Sequence, residues 1–204
     1  IHFNWVFVGS ANNLGSPDYY GYTIANIDFI SDSVNSLGSI TNENLTFLND
    51  GASFTILEMG NINLIDSYIR PLNPTHRWSI SADMDSKVTV RGSYLGYMGK
   101  FEIDDASILL LEESQIRYGT AGVKIIGSDG FTIDSCQFSD IDGFALNLEK
   151  IQNGTITGTG FSDNLRGLVI NDIVGEGDLV IDDSSFMDNS WGMYIFTASE
   201  NSSI

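Results

Sequence analysis

Three charged side chains recur every 21 or 22 residues in the middle of the chain: Arg91, Glu112 and Asp134. Two neighbouring carboxylates could share a proton and act in acid catalysis, flank a glycosidic bond, or hold a cation such as Ca²⁺. An arginine beside them could neutralise a substrate carboxylate, which would make an acidic polysaccharide the natural substrate. The same row is also typical of ordinary ion pairs on a solvated sheet, and we favour that interpretation.

A second row of residues could contact a sugar. Tyr94, Gln115 and Gln137 each follow one of the charged residues by three positions, and Tyr68 holds the same place one repeat earlier. Tyrosine rings can stack on sugars and side-chain amides can hydrogen-bond to them. The alternative is a pair of tyrosines that cover a sheet with their hydroxyls in water.

Other residues give weaker indications of chemistry or modification. Three sequons predict N-glycosylation at Asn44, Asn153 and Asn201, and they favour an extracellular location. The single cysteine, Cys136, is interpreted as a core thiol because no histidine lies near it in the sequence. No cofactor and no definite metal site are predicted, although Ca²⁺ remains an option.

The composition excludes several classes of partner. Twenty-seven acidic and nine basic residues give a net charge of −18, which repels phosphate backbones and anionic lipid headgroups. We therefore expect no nucleic-acid partner. No apolar run of about 18 residues occurs, so we also expect no membrane insertion within this chain.

The elements that would position these residues are predicted by an internal repeat. Hydrophobic anchors recur along the chain at Phe7, Phe29, Phe47, Ile69, Leu95, Ile116, Phe138, Phe161 and Phe186. From the fourth anchor onward, aliphatic residues stand five positions earlier, at Leu64, Val90, Leu111, Ile133, Ile156 and Ile181. A further apolar position lies two residues before these, and this alternation is typical of a strand with one buried face. A second strand should follow each anchor after a turn.

A column of small, weakly polar residues stands two positions before the anchors: Ser67, Ser93, Ser114, Cys136, Thr159 and Ser184. Strands stacked about 4.8 Å apart would make this column a continuous internal hydrogen-bonded ladder. A leucine-rich repeat does not fit, because its leucine register and helical windows are missing. An antiparallel sandwich would not explain columns that keep register over six repeats. The prediction is an all-β, right-handed parallel β-helix of about nine coils, with 21 to 26 residues per regular coil.

The turns Phe161-Ser-Asp-Asn-Leu-Arg-Gly167 and Phe186-Met-Asp-Asn-Ser-Trp-Gly192, with the related turn at 138–143, resemble those of the pectate lyase-like right-handed β-helix superfamily. This resemblance covers residues 54–204 well and residues 1–53 more loosely. It implies the fold but not one activity, because the superfamily includes lyases, hydrolases, esterases, tailspikes and adhesins. The acidic pairs Asp104–Asp105 and Asp182–Asp183 resemble those of polygalacturonases, but the companion Gly-His-Gly and Arg-x-Lys motifs are missing.

We therefore expect residues 1–204 to form one β-helix domain of a longer extracellular or cell-surface protein, with both ends of the solenoid open. The favoured function is non-catalytic, as in an adhesin, a surface layer or a fibre, with carbohydrate or neighbouring surface-protein segments as partners. One alternative is a polysaccharide lyase or glycoside hydrolase that uses Arg91, Glu112 and Asp134. Another is a glycan-binding module without turnover.

Overall fold

The structure, a computed structural model, describes only part of the chain. The described residues are 22–23, 28–31, 39–43, 46–48, 53–56, 61–71, 74–82, 86–104, 108–128, 130–174 and 178–196, with side chains described from Ile62 onward. Phe7 and both ends of the chain lie outside these ranges. The expectation that both ends are open therefore stays a prediction.

All described regular elements are β-strands, and they repeat in groups of three. The first strands are β1 (Tyr22–Thr23), β2 (Asp28–Ser31), β3 (Ser39–Glu43), β4 (Thr46–Leu48), β5 (Ser53–Ile56), β6 (Asn61–Ile65), β7 (Tyr68–Arg70) and β8 (Trp78–Ala82). The middle of the chain contains β9 (Lys87–Arg91), β10 (Tyr94–Gly96), β11 (Met98–Ile103), β12 (Ile108–Glu112), β13 (Gln115–Arg117), β14 (Val123–Ile126), β15 (Phe131–Asp134) and β16 (Gln137–Ser139). The last strands are β17 (Phe144–Glu149), β18 (Gly154–Thr157), β19 (Gly160–Ser162), β20 (Arg166–Ile170), β21 (Leu179–Asp182), β22 (Ser185–Met187) and β23 (Trp191–Ile195).

Every third strand belongs to the same parallel sheet. Sheet A has the order β1-β4-β7-β10-β13-β16-β19-β22, sheet B the order β2-β5-β8-β11-β14-β17-β20-β23, and sheet C the order β21-β18-β15-β12-β9-β6-β3. One coil of the solenoid thus runs through sheet C, sheet A and sheet B, and the next coil stacks on it. The predicted right-handed parallel β-helix is confirmed.

The predicted number of about nine coils is wrong. Sheets A and B contain eight described strands each and sheet C seven, and about five turns are completed between β6 and β21. The anchor predicted at Phe29 is also misplaced, because Phe29 pairs with Phe54 in sheet B, while Tyr22 takes the position next to the anchor Phe47 in sheet A. The spacing of aromatic residues alone could not show which of Tyr22 and Phe29 belongs to sheet A, because all three sheets bury residues of the same types.

The core is filled by columns of like residues, one from each coil. The anchors from Phe47 to Phe186 are register partners along sheet A. Phe138 and Phe161 stack with ring centroids 5.1 Å apart, and Phe161 and Phe186 with centroids 4.9 Å apart. Ile133 and Ile156 are buried register partners in sheet C, as predicted. Inward columns of large apolar residues therefore hold the coils together.

Glycine replaces an apolar residue at one position of these columns, in β18. The Phe131 ring of the preceding coil occupies the space of the missing side chain, because a Cβ atom at Gly154 would clash with two atoms of that ring. The Phe131 ring thus fills the space beside both Phe131 and Gly154, so the column contains no cavity at this level. A substitution at Gly154 would displace the Phe131 ring.

The turn from sheet C to sheet A contains the predicted polar ladder. The backbone N–H of Ser67 donates to Ser93 Oγ at 3.0 Å, and the N–H of Ser93 donates to Ser114 Oγ at 3.1 Å. Each hydroxyl in turn donates to the carbonyl two residues before it, as Ser93 does to Arg91 at 2.8 Å. The residue before each ladder residue has a positive φ, for example 57° at Gly92. The ladder satisfies the buried N–H groups of this tight turn.

Candidate functional site

The charged row lies where three strands of sheet C end. Arg91, Glu112 and Asp134 are register partners in consecutive coils and face outward. Arg91 Nε donates to Glu112 Oε2 at 2.7 Å, and its Nη2 atom contacts the same oxygen. Ser135 Oγ donates to Asp134 at 3.1 Å. The structure therefore brings the three predicted residues together, with the carboxylate of Glu112 held in an ion pair.

The predicted sugar-contacting row forms a column on the outer face of sheet A. Tyr68, Tyr94, Gln115 and Gln137 are successive register partners. The rings of Tyr68 and Tyr94 stack with centroids 4.6 Å apart and planes inclined by 11°. Since these faces pack on each other, a ligand beside the column meets ring edges and hydroxyls. Burial is the main cause that raises the pKa of Tyr94 to about 12, and the nearby Tyr68 phenol adds to it.

A second tyrosine pair lies at the turn from sheet A to sheet B. Tyr97 and Tyr118 occupy the same position in consecutive coils, and their rings stack with centroids 5.3 Å apart. Both have a φ of 59°, a left-handed conformation that is uncommon for a bulky residue. The next three coils place Asp140, Asp163 and Asp188 in this conformation, and aspartate adopts it more readily.

Arginines lie over these tyrosines. Distances from the guanidinium carbon to the ring centroid are 5.9 Å for Arg70 over Tyr68, 5.9 Å for Arg77 over Tyr97 and 4.8 Å for Arg117 over Tyr118. We call the set the tyrosine–arginine surface: Tyr68, Tyr94, Tyr97, Tyr118, Arg70, Arg77 and Arg117. Arg117 also forms a 2.9 Å ion pair with Asp140. Three of the nine bases of a chain with a net charge of −18 thus gather on one face.

The sequence analysis missed five members of this surface: Tyr97, Tyr118, Arg70, Arg77 and Arg117. A signal for the tyrosines was present, because Tyr97 and Tyr118 both stand two positions after an anchor in consecutive repeats. Arg70 and Arg117 each stand one position after an anchor, so a signal was present for them too, whereas Arg77 enters from a loop. Only the stacking of the coils shows that they converge.

The comparison with protein-family models agrees with this architecture. The model of the right-handed beta helix region matches residues 78–204, which is more than half of the chain. The chain belongs to the right-handed beta helix family. Neither the curated proteins nor the solved structures gave a match.

The remaining candidate residues of this β-helix fall in different environments. Cys136 is buried within the polar ladder, where its thiol donates to the carbonyl of Asp134 at 3.2 Å. Burial is the main cause that raises the pKa of this thiol to about 12, so the reactive thiolate is suppressed. Asn153 is exposed just before β18, whereas the sequons at Asn44 and Asn201 lie outside the described residues.

Two tryptophans, Trp78 and Trp191, lie in different environments. Trp78 is buried, and its indole N–H donates to the carbonyl of Gly96 at 2.7 Å. Trp191 is 55% exposed on sheet B. Within the described ranges, no group of three or more acidic, histidine or cysteine side chains could hold a metal ion. The described part of the chain also contains no helix long and apolar enough to cross a membrane.

Proposed function

We propose that this β-helix is a non-catalytic segment of an extracellular or cell-surface protein, and that its tyrosine–arginine surface binds carbohydrate. The observation that carries the proposal is the convergence of four tyrosines and three arginines on one outer face. Rings and phenol hydroxyls can contact the faces and hydroxyls of sugars. Guanidinium groups favour sugars that carry carboxylates or sulfates.

The conformation of Tyr97 and Tyr118 supports this function. A left-handed backbone costs on the order of 1 kcal/mol for a residue with a Cβ atom, and such conformations concentrate at binding sites. Later coils hold aspartate at this turn, so the fold does not require an aromatic residue there. The exposed side chains are Tyr68 at 40% and Tyr118 at 37%, which leaves both accessible to a ligand.

The non-catalytic part of the proposal rests on the charged row. Glu112, which would have to act as acid or nucleophile in an enzyme, is engaged by two nitrogen atoms of Arg91. That arrangement is common on solvated sheets and needs no substrate to explain it. An extracellular location is supported by the acidic composition and by the exposed sequon at Asn153.

The test is a glycan array of acidic and neutral polysaccharides, followed by titration of the glycans that bind. Tyr118→Ala should weaken binding by about tenfold, because it removes an accessible ring and the partner of Arg117. Trp191→Ala is the matched control, since it removes an exposed aromatic residue from sheet B and should leave binding unchanged. Equal losses in both variants, or no binding to any glycan, would contradict the proposed surface.

The alternative is an enzyme that cleaves an acidic polysaccharide, and it is favoured only by the position of Glu112 and Asp134 in adjacent coils. Reducing ends and unsaturated products would be assayed after incubation with mixed acidic polysaccharides. Cleavage by the wild type that is lost in both Glu112→Gln and Asp134→Asn would establish the enzyme and overturn the non-catalytic proposal. If neither the wild type nor the variants yield a product, the result agrees with the non-catalytic proposal.

A further inference from the structure

Four polar residues form a cluster on the outer face of sheet B, away from the tyrosine–arginine surface. Lys124 lies on β14, Asn147 and Glu149 lie on β17, and Asn171 follows β20. Lys124 and Asn147 are register partners in adjacent coils. Asn147 is only 6% exposed, and the side chains of Lys124 and Glu149 are 26% and 29% exposed. We call this set the lysine–amide cluster.

Glu149 connects the lysine to both amides of this cluster. Lys124 Nζ lies 2.9 Å from Glu149 Oε2. Nδ2 of Asn147 and Nδ2 of Asn171 each donate to Glu149 Oε1 at 3.1 Å. Asn171 Nδ2 also donates to Asn147 Oδ1 at 2.8 Å. One hydrogen-bonded group thus contains the amine of Lys124, the carboxamide of Asn147, the carboxylate of Glu149 that both contact, and the Asn171 amide that donates to Asn147 Oδ1.

These are the groups that an amine needs to displace ammonia from a carboxamide. The nucleophile is the amine, and an adjacent carboxylate can take its proton. The donor on the amide oxygen stabilises the negative charge that develops there during attack. Register pairing holds amine and amide side by side, which removes most of the entropic cost of bringing them together.

We propose that Lys124 and Asn147 become joined by an intramolecular amide bond that links two adjacent coils covalently. Lys124 is the nucleophile, Asn147 Cγ the electrophile, Glu149 the proton carrier and Asn171 the donor to Oδ1. Nothing in this proposal depends on the carbohydrate-binding function. The failure of one proposal would therefore leave the other unaffected.

The step balances without any further reagent. Glu149 takes a proton from the Lys124 ammonium group, and the freed Nζ lone pair attacks Cγ of Asn147 to form an Nζ–Cγ bond. Glu149 then returns the proton to Nδ2, the Cγ–Nδ2 bond breaks, and ammonia leaves as the Oδ1 carbonyl forms again. The extra proton on Nζ passes through Glu149 to the ammonia, which departs as ammonium. The protein loses one ammonia and one positive charge.

The charge state of Glu149 agrees with its starting role. Burial by itself raises the pKa of this carboxyl, but hydrogen bonds from Lys124 and Asn147 and the charge of Lys124 outweigh it, so the pKa is lowered. Glu149 is therefore a carboxylate near neutral pH and can accept the lysine proton. Because the reacting lysine must first lose a proton, the bond should form faster as the pH rises.

Intact-mass and peptide mass spectrometry test the proposal on the full chain, before and after prolonged incubation at mildly alkaline pH. We expect a mass lower by one ammonia, and a proteolytic fragment in which the peptide of Lys124 is joined to that of Asn147. Trypsin should also fail to cleave after Lys124. A mass that stays at the sequence value throughout would overturn the proposal.

Variants separate the cross-link from other losses of ammonia. Lys124→Arg keeps a cation beside Glu149 but cannot form the bond, so its mass should stay at the sequence value. Lys100→Arg is the matched control, because Lys100 forms a 2.8 Å ion pair with Glu102 on the same sheet. That variant should lose ammonia like the wild type. If Lys124→Arg loses as much ammonia as the wild type, for example through a succinimide at Asn153–Gly154, the proposal is overturned.

Discussion

The inner and outer faces of sheet A are built from the same strands but obey different constraints. Inward, each described coil contributes one large apolar anchor, and the last three anchors, Phe138, Phe161 and Phe186, stack ring on ring at about 5 Å. Outward, the residue before the anchor changes from tyrosine to glutamine to glycine along the same column. The inner column must fill a shared core at every level, whereas the outer column meets solvent, so its residue types can differ from coil to coil.

The contrast extends to the polar groups. Hydroxyls of the internal ladder accept hydrogen bonds from buried backbone N–H groups of the preceding coil. Ser93 is thus bonded to the coil before it through its hydroxyl and to the coil after it through its own N–H. Polar pairs on the outer face, such as Arg91–Glu112, remain partly solvated. The inner polar residues should therefore matter for stability, and the outer ones for binding.

The largest effect is expected from breaking the inner column. Phe161→Ala should lower the free energy of unfolding by about 3 to 5 kcal/mol, because it leaves a cavity between two stacked phenylalanines. Urea unfolding followed by circular dichroism gives this value. Ser162→Ala, one residue away on the outer face, is the control and should cost less than about 1 kcal/mol. If Phe161→Ala and Ser162→Ala lower the free energy of unfolding by similar amounts, the distinction between the two faces is wrong.

A smaller effect is expected from breaking the ladder. Ser93→Ala should cost about 1 to 3 kcal/mol, because the buried N–H of Ser67 loses its acceptor. The same unfolding measurement applies. Ser93→Thr keeps the hydroxyl, as Thr159 does elsewhere in the column, and should be closer to the wild type. If Thr is no better than Ala at this position, the ladder hydrogen bonds are not what stabilises the turn.

The thiol within the ladder predicts a loss of stability at alkaline pH. The folded-state pKa of Cys136 is about 12, above its value in the unfolded chain, so only the unfolded state gains thiolate between these values. Stability is therefore complete below about pH 8 and should fall by about 1.5 to 2 kcal/mol by pH 10. Cys136→Ser, which keeps a hydrogen-bonding group in the column, should remove this part of the decrease. An unchanged pH dependence in the variant would show that the thiol is already accessible to solvent.

The smallest effect is expected on the outer face. Glu112→Gln removes the charge that Arg91 binds, and it should change the free energy of unfolding by less than about 1 kcal/mol, because Arg91 is 54% exposed. The measurement is again urea unfolding, at low and at high salt. A loss comparable to that of Phe161→Ala would mean that the charged row is part of the structural framework.

Much of this architecture was predictable from the sequence alone. The anchors from Phe47 onward, the strands before them and the column from Ser67 to Ser184 all recur at fixed offsets, because every coil must present the same residue type to a common core. The outward rows that begin at Tyr68 and at Arg91 were predicted for the same reason. Register in one column determines register in the columns beside it.

Other features depended on the tertiary structure. Tyr22 and Phe29 are both aromatic, and only strand pairing assigns one to sheet A and the other to sheet B. The convergence of Arg77 on Tyr97 likewise depends on the path of a loop. The sequence by itself determined the repeat, the inward columns and the fold, since these follow from periodic burial. The tertiary structure decided which side chains of different sheets and loops meet, because such contacts depend on loop paths and side-chain directions that have no period.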